Sequence, residues 1–230
     1  MDPEPWEAAL KLWLRAEYDA KEGGLGVEAF RARLADLRLL VEAVDEAGAF
    51  ARLPPGGVLL DGGTGSGVFL VGVLLRNPHL AGVGVDLSPG AVETAAATVS
   101  ALGLPRARFE TANLEALPHP AGFFGGALSA CTLNLLPRRR EGLQEIARTL
   151  AAGAPFVLLE SFVPGAPANP GGPADPQRFA EEALACGLRE ETRRDVTGEV
   201  RRLCREGRWP WSSAIREESR FHVVGLRRTG

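Results

Sequence analysis

Asp61 ends a short apolar run at residues 58–60 and opens the pattern Asp61-Gly62-Gly63-Thr64-Gly65-Ser66-Gly67, after which a second apolar run begins at Val68. Glycine loses the most conformational freedom on folding, so a cluster of this density means that side chains would obstruct something. A glycine turn between a strand and a helix presents backbone N–H groups at the positive end of the helix, a place suited to a negative group. No lysine follows these glycines, so the phosphate-gripping GxxxxGK[ST] loop is excluded. The dinucleotide pattern GxGxxG is half met by Gly63 and Gly65, but position 68 carries Val68 where a small residue is expected. A carboxylate at Asp61 would repel a diphosphate and attract a cationic amine. A second acid, Asp86, closes the apolar run at 81–86, where it can accept hydrogen bonds from both hydroxyls of a ribose. Its alternative role is as a helix cap, for which Ser88 is also available.

These acids need a scaffold, and the hydrophobic pattern predicts one. Residues 6–18 place Trp6, Leu10, Trp13 and Leu14 on one helical face, and Val27, Phe30, Leu34, Leu37, Val41 and Val44 recur at steps of three and four as a second helix ending near Gly48. After the Pro/Gly break at 53–57, strands are expected at 58–61, 81–86, 106–113, 126–131 and 154–161. Helices are expected between them at 68–76, 89–103 and 140–150. A Pro/Gly-rich loop at 164–176, a helix near 177–186, a strand over 188–196 and a last strand at 221–228 follow. Alternating strands and helices imply an α/β fold with a parallel sheet. The length, 230 residues, fits one domain, read as a helical cap (1–55), a cofactor-binding half (56–161) and a C-terminal substrate-side half (162–230).

The spacing D-x-G-x-G-x-G with an acid at the second strand end resembles the first motifs of class I S-adenosylmethionine-dependent methyltransferases. The resemblance covers about residues 56–161 and continues through FFGGALSACTLNLLP and the strand-ending FVLLES. It implies a Rossmann-like, mostly parallel seven-stranded sheet with an antiparallel last strand and an N-terminal helical cap. It implies that Asp61 helps hold the amino end of the cofactor's methionine, within a loop of Gly62, Gly63, Thr64, Gly65 and Gly67. Asp86 would take the ribose and Leu87 would lie against adenine. Asn113, which is otherwise a plain turn residue, would read the adenine amino group beside Leu114, and Ala130 would line the cofactor from the fourth strand. Two positions depart from the family pattern: Gly125 replaces the acid that usually follows a paired aromatic, and AGA stands at 152–154 where PGG is usual.

Methyl transfer needs alignment more than functional-group catalysis, so the lack of an evident base does not argue against an enzyme. No [DN]PP[YFW] motif is present, which argues against amino-group methylation of nucleic acid bases. Cys131 sits at the fourth strand end, and SxCxxNLxP resembles arsenite methyltransferases, with Cys204 as a conceivable second thiolate. Those enzymes also carry a cysteine just after the glycine motif, where this chain has Val68, Phe69 and Leu70. A buried cysteine acting as a small hydrophobe is the competing reading. Tyr18, Cys131 and Trp209 are the candidate substrate-side residues, with Trp6, Trp13 and Trp211 nearby in the same reading. No metal site is expected: the three cysteines lie far apart without a CxxC pair.

The formal net charge of -3 and pI near 5.7 give no general attraction to nucleic acid. No apolar run nears the roughly 18 residues that span a bilayer, and the first residues lack a signal-peptide order, so a cytoplasmic protein is expected. The expected function is methyl transfer from S-adenosylmethionine to a small molecule, with no membrane partner. The rivals are an NAD(P)-dependent oxidoreductase and a catalytically silent module of the same fold.

Overall fold

The computed structural model describes residues 27–166, 174–209 and 217–230. Seven strands form one sheet: β1 Val58–Gly62, β2 Ala81–Asp86, β3 Ala107–Thr111, β4 Gly126–Ala130, β5 Pro155–Phe162, β6 Leu188–Asp195 and β7 Arg220–Arg228. Their spatial order is β3-β2-β1-β4-β5-β7-β6. Pairings from β3 across to β5 are parallel, and β7 runs antiparallel to both β5 and β6. This is the mostly parallel sheet with an antiparallel last strand that the sequence implied. The central strands are buried along nearly their whole length, as strands covered on both faces must be. The edge strand β6 carries Arg189, Glu190, Glu191, Arg193, Arg194 and Asp195, a density of charge that discourages a further strand from pairing there.

The helices are α1 Val27–Asp36, α2 Arg38–Gly48, α3 Val68–Arg76, α4 Pro89–Ala101, α5 Arg139–Thr149, α6 Pro176–Ala185 and α7 Thr197–Arg205. One core lies on the sheet face covered by α1, α2, α3 and α7, joining Phe30, Val41, Leu70, Leu128, Leu159 and Leu203. The other lies under α5 and α6 and joins Leu60, Val85, Phe124, Phe156, Phe162 and Phe179.

One expectation is corrected. The single helix read from Val27 to near Gly48 is two helices, because Leu37 leaves helical geometry (φ -89°, ψ 4°) while remaining fully buried. A one-residue distortion leaves the apolar period intact and is invisible to it. The segment read as a cap also contributes a core layer: α2 packs against β4, β5, β7 and α3. Asp45 on α2 anchors that contact by accepting hydrogen bonds from Asn77 Nδ2 (2.7 Å) and Arg76 Nε (2.8 Å). Helix α7 was not delimited by the sequence pattern, since only Thr197, Val200 and Leu203 turn inward between its arginines. The helix expected at 6–18 lies outside the described residues.

Candidate functional site

The direction of chain progression through the sheet reverses between β1 and β4, and in such sheets the crevice beyond the carboxyl ends of the strands receives ligands. Asp61, the glycine loop, Asp86, Ala130 and Cys131 all fall at that edge, because parallel pairing sets the ends of β1, β2 and β4 side by side.

The glycine loop satisfies itself. Gly63 and Thr64 both donate their backbone N–H to Val85 O (2.9 Å each), and Gly67 N donates to Thr64 O (2.8 Å). Gly65 N donates to Asp86 Oδ2 (2.8 Å), while Ser88 N donates to the other oxygen, Oδ1 (2.9 Å). Ser88 caps α4 as anticipated, its hydroxyl accepting from Ala91 N (3.3 Å). Asp86 is nevertheless not left idle by that cap: each of its oxygens already holds at least one backbone N–H, and the carboxylate keeps lone-pair capacity for a hydroxyl donor.

Asp61 is 1% exposed and accepts a hydrogen bond from Thr64 Oγ1 (2.7 Å). Burial pushes its carboxyl from 3.8 up to about 7; the Thr64 hydroxyl and the Leu70 N–H oppose this, and the Asp86 charge adds to it. Burial likewise raises Asp86, against hydrogen bonds from Ser88, Gly65 and Leu87 backbone groups. Two acids thus share a desolvated corner in which every named partner of Asp61 is a neutral donor. An added cation there would favour the ionised form of both.

Part of the glycine requirement comes from the protein itself. Gly63 adopts φ 73°, and a Cβ there would lie 2.2 Å from the Thr132 side chain. Gly67 adopts φ 79°, and its Cβ would meet the Phe109 ring at 2.8 Å. Gly63→Ala therefore combines a disfavoured backbone with a clash and is expected to cost about 2–4 kcal/mol of stability, read as a lowered urea midpoint. A midpoint matching that of the native protein would show that the loop does not adopt this conformation.

The remaining sequence-selected residues fall as follows. Gly62 ends β1, and Leu114 packs on it, the nearest approach to a Cβ there being 3.0 Å. Leu87 is half-buried beside Asp86. Asn113 Oδ1 accepts from Glu115 N (2.9 Å), the turn geometry. Ala130 is buried at the end of β4, and Cys131 follows with φ 54°, its N–H donated to Leu159 O (2.8 Å). Burial first, then the Glu160 charge, push the Cys131 thiol well above its ordinary value, so it is held neutral and is a poor thiolate ligand. No group of three His, Cys, Asp or Glu residues able to hold a metal occurs among the described residues. Trp209 is 4% exposed, with its ring edge-on to Phe221 (centroids 5.7 Å) inside the core under α1 and α7. Tyr18, Trp6, Trp13 and Trp211 lie outside the described residues.

Sequence reasoning passed over three residues that build this edge. Ser129 Oγ donates to Gly62 O (2.8 Å), and Thr132 Oγ1 donates to Gly63 O (3.3 Å), tying the β4 end to the glycine loop. Glu160, 4% exposed on β5, accepts from Ser161 N (3.0 Å) and Asn134 N (3.3 Å). Its signal was available: FVLLE, like VLLD and VGVD, is an apolar run followed by an acid.

Residues 59–153 match the family model described as a methyltransferase domain. A release factor glutamine methyltransferase from Rhodospirillum rubrum is 44% identical over 71 residues, covering 31% of this chain and 22% of that protein. A ubiquinone/menaquinone biosynthesis C-methyltransferase, UbiE, from Geobacter sulfurreducens is 34% identical over 117 residues, covering 49% of this chain and 45% of that protein. The chain thus spans less than half the length of these curated relatives. Among solved structures, a geranyl diphosphate C-methyltransferase from Streptomyces coelicolor superposes with a TM-score of 0.77 over 100% of both chains at 13% identity. The [4+2]-cyclase SpnF superposes at 0.71, covering 90% of this chain and 83% of that one at 19% identity. The match to a methyltransferase domain is thus confined to residues 59–153, and the likeness to the solved structures is one of fold.

Proposed function

We propose that this protein transfers a methyl group from S-adenosylmethionine to a small-molecule acceptor. The observation that carries the reading is Asp61: a buried acid beside a second acid, with neutral donors only for named partners, at the end of β1. A cationic ammonium relieves that arrangement, whereas a diphosphate aggravates it. The loop agrees, because the N–H groups of Gly63, Thr64, Gly65 and Gly67 are already donated within the protein and are not offered to a phosphate. This favours the methyl donor over a nicotinamide dinucleotide.

When bound, the cofactor supplies an activated methyl on a sulfonium, with its own leaving group. The residues of the chain bind and orient: Asp61 takes the ammonium, Asp86 the ribose hydroxyls, and Leu87, Asn113 and Leu114 frame the adenine side. Ala130, buried at the end of β4, would line the cofactor. The relatives' names support a small molecule, UbiE and the geranyl diphosphate enzyme both being C-methyltransferases. Surface charge supports it too. Arg138 is paired with Glu115, Arg139 with Glu182, and Arg202 with both Glu199 and Glu206, which leaves these arginines engaged and not gathered for a polyanion. No described helix is long and apolar enough to cross a membrane. The three cysteines are free, as suits a reducing compartment, and we read the protein as cytoplasmic.

SpnF shows why fold alone is insufficient: its structure is similar and its name is that of a cyclase. The test is therefore in two stages. Calorimetry should give micromolar or tighter binding of S-adenosylhomocysteine and none of NADH, with Asp86→Ala weakening it about 10- to 150-fold through lost charge-assisted hydrogen bonds. Labelled methyl transfer across a metabolite panel then separates an enzyme from a silent module. NADH binding without S-adenosylhomocysteine binding would reject the proposal.

A further inference from the structure

We propose that Glu160 is a positioning residue: its carboxylate ties the turn after β4 to β5, and through Thr132 that turn sets the shape of the glycine loop. The inference rests on the cofactor reading above for the loop's ligand.

The geometry is a relay of contacts. Glu160 Oε1 accepts from Ser161 N on its own strand, and Oε2 accepts from Asn134 N, with Leu133 N also hydrogen-bonded to the carboxylate. Leu133 and Asn134 open a single 3₁₀ turn, Leu133–Leu135, whose first N–H groups have no partner within the turn itself. Glu160 caps them from the neighbouring strand. The same turn is held a second time by Asn134 Nδ2, which donates to Ser161 O (2.7 Å) and Oγ (3.2 Å). On its other side the turn begins with Thr132, which bonds Gly63 O and fills the space a Cβ on Gly63 would need. Cys131 between them is in the left-handed region, a conformation that costs energy and persists only when its surroundings fix it. Glu160 and Thr132 are the contacts that fix it from each side.

The groups facing Glu160 are the neutral thiol of Cys131 from the β4 end, Arg139 from α5, and His222, which stands opposite it in register on β7. Burial raises the Glu160 carboxyl to about 7, against the backbone N–H groups of Ser161 and Asn134, the Arg139 charge and the Leu133 N–H. The ionised form accepts at both oxygens. A protonated carboxyl, or a glutamine amide, turns a donor toward an N–H and releases one side of the clamp.

The experiment compares the native chain with Glu160→Gln at pH 8.5 and pH 5.5, using S-adenosylhomocysteine as the probe in calorimetry and hydrogen exchange over residues 131–136 in the same samples. At pH 8.5 the variant is expected to bind about tenfold more weakly and to exchange the Leu133 and Asn134 amides faster. At pH 5.5, where the native carboxyl is already neutral, the two proteins should coincide in both readouts. Equal affinities at both pH values, or an equal weakening at both, overturns the coupling, as does unchanged exchange at pH 8.5. Native protein that binds no S-adenosylhomocysteine while exchange still differs at pH 8.5 alone overturns the cofactor reading and leaves the clamp standing.

Discussion

Asp61→Asn is expected to make the ligand-free protein more stable at pH 8 and to weaken S-adenosylhomocysteine binding by about 10- to 150-fold. The two effects share one cause. Holding the Asp61 carboxyl at about 7 when its ordinary value is 3.8 means that ionising it in place costs on the order of 4 kcal/mol, an upper limit. Asparagine removes that cost without emptying the site. Its carbonyl oxygen can still accept the Leu70 N–H, and the Thr64 hydroxyl can turn to accept from the amide. For a protein of this size, each kcal/mol recovered moves Tm by roughly 2–4 °C, so a rise of several degrees is the expected result. The variant then has no negative charge for the ammonium. Stability gained where binding is lost is the usual exchange at a site built for a ligand rather than for the fold. Thermal melts with and without S-adenosylhomocysteine measure both halves at once. A lower Tm in the variant, or an unchanged affinity, would mean that Asp61 serves the fold and not the cofactor.

How much of this was readable in the chain depends on how local each cause is. β2, α3 and the core of β1 and α4 are written in short patterns, and the structure places them within a residue or two of the sequence reading. Asp61 and Asp86 were legible because an acid closing an apolar strand is a one-dimensional signal. Glu160 follows the apolar run of β5 in the same way, although the strand continues to Phe162, yet its partner is the turn after β4, and only the pairing of Ala130 with Leu159 brings the two together. Strand adjacency is a property of the sheet and not of either segment. What the glycines make room for was hidden for the same reason. Their density implied that something approaches the backbone closely, but not that at Gly63 the approaching group is Thr132 and at Gly67 Phe109 from β3. Trp209 was selected as an aromatic outside the sheet, and the structure encloses it against Phe221, a contact set by the course of β7. The arsenite resemblance at Cys131 rested on a thiolate; burial beside Glu160, which no local pattern reports, keeps that sulfur protonated.

Ligand-free protein is expected to lose stability as pH rises from about 5 to 8, the reverse of what paired surface carboxylates produce. The sign follows from the proton count. In the unfolded chain Asp61 and Glu160 titrate near 3.8 and 4.5; in the folded protein burial holds both at about 7. Between those values the folded state carries protons that the unfolded state has released, so stability is greatest at the acid end and falls until both groups are ionised, just above pH 7. Each group contributes up to about 1.4 kcal/mol per pH unit inside that window. His222 opposes them, since burial and Arg193 lower its value below 6.5, making folding cost more as pH falls through that range; it is one group against three, because burial raises Asp86 as well. Glu145 and Glu191, held low by Arg148 and Arg227, act at more acid pH and leave the window clear. Urea midpoints at half-unit steps should therefore decline from pH 5 to 8. Saturation with S-adenosylhomocysteine should remove the Asp61 and Asp86 shares, because the ammonium and the ribose hydroxyls favour the ionised carboxylates, and Glu160→Gln should remove the rest. With both changes made, the curve should be flat or slope upward. A midpoint that climbs with pH in the unliganded native protein would mean that neither acid is desolvated, and the electrostatic basis for binding a cation at Asp61 would be gone.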